Sequence, residues 1–112
     1  MSFYVERFDN IFLVKIVGRL DSTNVTKIKN TWLEDDTAKY ILIDLSETNF
    51  IDSMGLAALV SALKTSRQRG GNLMLLDPSQ PIRNILELTA MSRVFEVAVS
   101  QEAAIARLKS SS

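Results

Sequence analysis

The sequence predicts an α/β fold: a single mixed sheet in the order β-β-α-β-α-β-α-β-α, with an antiparallel N-terminal hairpin, parallel strands after it, and helices packed against the sheet. Three observations lead there. Short apolar, β-branched runs alternate with segments whose apolar residues recur at helical spacing. The first two runs are separated only by Asp9-Asn10, which suits a hairpin turn. The later runs are separated by helical segments of roughly a dozen residues, the length a right-handed parallel crossover needs.

The first strand is read from Phe3, Val5 and Arg7 alternating with Tyr4 and Glu6, and the second covers residues 11–17, interrupted only by Lys15. Residues 18–24 form a loop. Val25, Ile28, Trp32 and Leu33 then share one helical face, with Asp21, Ser22, Thr23 and Asn24 all acceptable N-caps. Residues 40–45 are a nearly unbroken apolar run, as expected of a strand covered on both faces. A loop of about seven residues follows, a common connection length. The next helix begins at Asp52 or Ser53, carries Leu56, Leu59, Val60 and Leu63 at i, i+3, i+4 and i+7, and stops at Gly70-Gly71.

Residues 73–76 are a second buried strand. Asp77-Pro78 to Pro81 opens a helix with Ile82, Ile85, Leu86 and Thr89 on one face. Residues 94–99 form the last strand, and Ser100 caps a closing helix with Ala104, Ile105 and Leu108 inward. The serines at 110–112 read as a frayed tail, and the whole of 1–112 as one domain.

Composition excludes several functions. Of 112 residues, 46% are hydrophobic and 23% charged, a globular balance that needs no disulfide or metal staple. Thirteen Lys/Arg match thirteen Asp/Glu, so the basic excess of a nucleic-acid or anionic-membrane binder is missing. There is no His and no Cys, which removes Ser-His and Cys-His nucleophile pairs, thiol redox chemistry and the usual zinc ligands. No stretch resembles a secretory leader or a bilayer span, so the expectation is a soluble, cytoplasmic protein.

Local features are equally spare. None of the four glycines belongs to a P-loop or a G-x-G-x-x-G fingerprint. Lys64, Arg67 and Arg69 read as a solvated helix face favoured by the macrodipole. Glu34, Asp35 and Asp36 lack the ligand spacing of a calcium loop and read as a solvated turn. Met54, Met74 and Met91 read as gap-fillers, with Met54 suited to a contact surface if exposed. No catalytic residue, metal or cofactor is expected.

The segment Asn49-Phe50-Ile51-Asp52-Ser53-Met54-Gly55-Leu56 stands apart. Ser53 falls beyond a parallel strand's carboxyl end and at a helix N-terminus, where open α/β sheets place functional groups. Gly55 sits just inside the helix, at a cost of about 1 kcal/mol relative to Ala unless something approaches closely there. Ser53 is either a cap or a functional serine. The nucleophile elbow G-x-S-x-G is ruled out because Ile51 stands where its first Gly is needed. A phosphoryl group is compatible, because free N–H groups and the positive dipole end favour an anion there.

Gly18-Arg19-Leu20-Asp21, Ile43-Asp44-Leu45 and Phe50-Ile51-Asp52-Ser53-Met54-Gly55-Leu56 resemble the STAS domain, and specifically bacterial anti-sigma-factor antagonists. Gly70-Gly71-Asn72-Leu73 and residues 82–108 follow the same layout. The resemblance implies that the unmodified domain binds an anti-sigma factor that is itself an ATP-dependent serine kinase, which frees the sigma factor. It implies phosphorylation of Ser53 by that kinase, release of the complex, and restoration by a serine phosphatase. It places Asp21, Ser22 and Thr23 with Asp52, Ser53, Met54, Gly55 and Leu56 on the contact surface. Met54 departs from the small or hydroxyl residue frequent there. The alternative is a non-catalytic scaffold subunit of a larger signalling or transport complex, in which Ser53 only caps.

Overall fold

The computed structural model describes residues 2–8 and 10–110. Strands β1 (Ser2–Phe8) and β2 (Ile11–Leu20) pair antiparallel, from Ser2 against Val17 to Phe8 against Ile11. The expected turn falls partly on Asp9, outside the described residues. Helix α1 (Val25–Leu33), β3 (Tyr40–Asp44), β4 (Thr48–Ile51), α2 (Ser53–Gln68) and β5 (Asn72–Leu76) follow. Then come α3 (Gln80–Leu88), a 3-10 turn (Met91–Arg93), β6 (Glu96–Ala98) and α4 (Gln101–Ser110). The strands make one mixed sheet ordered β1-β2-β3-β5-β6, with β4 paired parallel to the far end of β2.

Alternation along the strands builds two cores. Phe12, Val14 and Ile16 of β2, Ile41 and Ile43 of β3, and Leu73 and Leu75 of β5 face α1, α2 and α3. Val25, Ile28 and Trp32 meet them from α1, Leu59 and Leu63 from α2, and Ile82 and Leu86 from α3. On the opposite face Ile11, Leu13, Leu42, Met74 and Leu76 pack under Ala104 and Leu108 of α4. Strands buried on both sides explain why their sequences read as continuous apolar runs. The Ser100 cap is present, its hydroxyl accepting from the Ala103 N–H at 3.2 Å.

Several expectations need correction. The segment before α2 is not a plain loop: it contains β4, so the order is β-β-α-β-β-α-β-α-β-α. Its pairing is possible because β2 does not stop at Val17. Gly18 adopts φ +94, the register shifts between Gly18 and Arg19, and the strand continues to Leu20. Thr48, fully buried, fastens β4 by donating to the Ile16 carbonyl at 2.7 Å.

The last strand is only Glu96–Ala98: the 3-10 turn occupies the approach, and Val94 before the strand and Val99 after it are exposed. Leu33, expected inward, is exposed at the end of α1. Ser110, expected in the tail, closes α4, while Ser111 and Ser112 lie outside the described residues.

Arg69 is not part of a solvated face. Its guanidinium folds onto the end of α1 and donates to the carbonyls of Trp32 (2.8 Å), Asp35 (2.9 Å) and Ala38 (2.8 Å). Those carbonyls belong to a helix end and the turn after it, where the Asp35 carbonyl also accepts from the Ala38 N–H at 3.0 Å, and carbonyls converging at a helix end suit a cation. Asp35 is likewise engaged, accepting from Thr37 and pairing with Arg7 of β1.

Candidate functional site

The extension of β2 alongside β4 brings the two signature segments together. Arg19 lies opposite Phe50 and Leu20 opposite Ile51 in the parallel register. The Asp52 N–H donates to the Leu20 carbonyl at 3.3 Å. The Ser22 N–H donates back to Asp52 Oδ2 at 3.2 Å. Gly55 is the close approach that makes this possible: a Cβ there would stand 2.3 Å from the Leu20 oxygen and 2.7 Å from Ile51 Cγ1. The helix-propensity cost of Gly55 therefore has a packing reason.

The choice of cap is settled by geometry. Asp52 has extended backbone and its Oδ1 accepts from the Gly55 N–H at 2.9 Å, so Asp52 is the N-cap and Ser53 the first helical residue. Ser53 and Met54 are both exposed. Among the described residues no hydrogen bond engages the Ser53 hydroxyl, or the N–H groups of Ser53 and Met54. Two backbone donors and a hydroxyl thus stand open at the positive end of a 16-residue helix.

The companion loop is held by its own polar groups. Asp21 Oδ1 accepts from the Thr23 N–H (3.0 Å) and hydroxyl (2.5 Å), and Oδ2 from Arg19 Nε (2.8 Å). Asn24 is buried without a side-chain capping bond. Its Oδ1 accepts from the Asp21 N–H at 3.0 Å, and its Nδ2 donates to the Arg19 carbonyl at 2.7 Å. The Thr23 hydroxyl and the Arg19 guanidinium hold the Asp21 carboxyl below the usual carboxylate range, against the burial that raises it.

A depressed folded-state value means that this carboxylate contributes stability above its unfolded value, about 3.9, and loses it as pH falls through the lower folded value. The stability gap between wild type and Asp21→Asn, read by urea unfolding, is expected to be open at neutral pH and to close in acid. A gap that stays constant into acid would contradict the paired carboxylate.

The structure therefore gathers Asp21, Ser22 and Thr23 beside Asp52, Ser53 and Met54. Ser22, Thr23, Ser53 and Met54 are exposed, Asp21 and Gly55 are buried, and Leu56 packs partly against the core. Two neighbours were not singled out from sequence as contact residues. Phe50 is 37% exposed, and the Arg19 guanidinium lies 4.1 Å from its ring centre. Among the described residues no cluster of His, Cys, Asp or Glu is arranged to hold a metal ion. No helix among them is long and apolar enough to cross a membrane.

A family model described as the STAS domain matches residues 2–104. The chain belongs to the STAS domain family. The resemblance read from its motifs is thereby borne out, as is the mixed α/β fold class. The anti-sigma-B factor antagonist of Listeria monocytogenes is 33% identical over 85 residues, covering 73% of this STAS chain and 74% of that protein. Among solved structures, the anti-sigma factor antagonist SpoIIAA in its unphosphorylated form superposes with a TM-score of 0.84 at 20% identity, covering 97% of each chain. SpoIIAA of Bacillus in its phosphorylated form superposes with a TM-score of 0.73 at 22% identity, over 95% of this chain and 98% of that one. These two share the STAS fold with the present chain.

Proposed function

We propose that this STAS domain is an anti-sigma-factor antagonist switched by phosphorylation of Ser53. The unmodified form binds an anti-sigma factor with serine-kinase activity and so frees the sigma factor. In the kinase reaction Ser53 Oγ takes the γ-phosphoryl group of ATP, its proton is released, and ADP departs. A serine phosphatase hydrolyses the phosphoester and restores binding. The domain is the substrate in this cycle and supplies no catalytic residue.

One observation carries the reading: Ser53 is exposed at the first position of α2, its hydroxyl unengaged among the described residues, while Asp52 takes the capping role. Relatives named anti-sigma-factor antagonists, and a STAS neighbour solved in both phosphorylation states, support it. Asp21 and Gly55 act on the contact surface through the backbone they hold, whereas Ser22, Thr23 and Met54 meet the partner directly. At the helix N-terminus a phosphoryl group is favoured by about 0.3–2 kcal/mol, so the fold tolerates it. The test is incubation with the purified serine-kinase anti-sigma factor of the same organism and ATP. One phosphoryl group on Ser53 and none on Ser53→Ala is expected. Equal incorporation into both proteins, or none into either, would overturn the assignment.

A further inference from the structure

The guanidinium of Arg19 serves the loop through one edge only, and its outer edge is left open. Nε donates to Asp21 Oδ2 at 2.8 Å, and the plane sits 4.1 Å from the centre of the Phe50 ring. Among the described residues no hydrogen bond uses Nη1 or Nη2, and the side chain is 56% exposed. An arginine fork with its outer donors open matches a carboxylate bidentately. Here Asp21 fixes one edge and Phe50 the face, so little side-chain freedom remains to be lost on binding. Phe50 and Met54 add exposed apolar surface beside it, at 37% and 52% exposure.

We propose that Arg19 is a preorganised receptor for a carboxylate side chain of the anti-sigma factor, with Phe50 and Met54 as its apolar flank. This rests on the antagonist reading above and names the chemistry that the partner must carry. Charge balance selects the ligand. Asp21 already offsets part of the Arg19 charge, and Asp52 lies one backbone contact away through Ser22. One partly offset guanidinium suits a singly charged carboxylate better than a phosphate dianion. Position agrees as well, since the carbonyl of Leu20, next to Arg19, accepts from the Asp52 N–H that immediately precedes Ser53. The fork and the serine therefore lie on one continuous edge, and a partner covering Ser53 meets both.

The experiment is calorimetric titration of the purified serine-kinase anti-sigma factor with wild type, Arg19→Gln, Arg19→Lys, Phe50→Leu and Ser53→Asp, each at low and moderate salt. Arg19→Gln is expected to raise Kd about 10- to 100-fold, the scale of losing a hydrogen bond to a charged group. It should also flatten the salt dependence seen with wild type. Arg19→Lys keeps the charge and the Asp21 pair but loses the fork, so it should recover little affinity. Phe50→Leu should weaken binding by roughly 2- to 5-fold, on the scale of an exposed cation–π contact.

Wild-type affinity and salt slope in Arg19→Gln would overturn the receptor. So would full affinity in Arg19→Lys, which reports a point charge instead of a fork. If either result comes while Ser53→Asp fails to bind, the antagonist reading stands alone. Failure of wild type itself to bind overturns both.

Discussion

Ser53→Asp is expected to weaken the complex with the anti-sigma factor by two to three orders of magnitude while leaving the fold intact. The two halves of that result have separate causes. In the free domain the new carboxylate stands at the first position of α2, exposed and beside two open N–H groups, where the helix dipole favours an anion. The Asp52 carboxylate next to it opposes this, but both of its oxygens are already engaged by backbone donors of Gly55 and Ser22. In the complex the same charge is closed in without a partner, which costs about 3–5 kcal/mol. Each 1.4 kcal/mol is a tenfold change in Kd, which sets the expected size. Ser53→Ala separates charge from hydroxyl and should bind within a few-fold of wild type. Calorimetric titration with circular dichroism of the free proteins reads both halves. An unfolded Ser53→Asp protein, or one that binds normally, contradicts the switch.

Gly55→Ala is the second large effect, and it is expected to destabilise a helix that Ala would ordinarily favour. Propensity alone predicts a gain of about 1 kcal/mol. The added methyl, however, would stand 2.3 Å from the Leu20 carbonyl oxygen, which is backbone held by β2–β4 pairing and by the Asp52 N–H. Overpacking of this kind typically costs 1–3 kcal/mol, and here the obstacle has no rotamer by which to leave. The net expectation is a loss of about 1–3 kcal/mol in urea unfolding, together with weaker antagonist binding as α2 and the Asp21 loop are forced apart. A Gly55→Ala protein more stable than wild type would show that the contact between the two segments is loose.

The sheet was legible in the sequence because its strands are buried on both faces, so Ile41, Leu42 and Ile43, or Leu73, Met74 and Leu75, form uninterrupted apolar runs. Helices α2 and α3 were legible from apolar spacing and from Gly70 and Pro81 at their ends. Strand β4 was not, for a physical reason. It is four residues long, with Asn49 and Phe50 exposed, and it is held by backbone pairing to β2 and by a buried Thr48 hydroxyl. None of these leaves a periodic apolar trace.

The same holds at the site. Ser53 was legible as a helix start, though whether it or Asp52 capped needed coordinates. Arg19 and Phe50 are 31 positions apart and meet only because the Gly18 shift carries β2 past β3, so their pairing depends on a register invisible to local pattern. Arg69 presents the same difficulty: its position fits a helix-end cation, but its acceptors belong to α1 and the turn after it.

The affinity of one protein sample before and after enzymatic phosphorylation bears most directly on the switch. Wild-type domain is titrated against the serine-kinase anti-sigma factor, phosphorylated to completion, titrated again, then treated with a serine phosphatase and titrated a third time. Tight binding, loss by two orders of magnitude or more, and full recovery is the expected sequence, with an unchanged circular dichroism spectrum throughout. A phosphorylated form that binds as tightly as the untreated one contradicts the claim that negative charge at Ser53 controls the interaction.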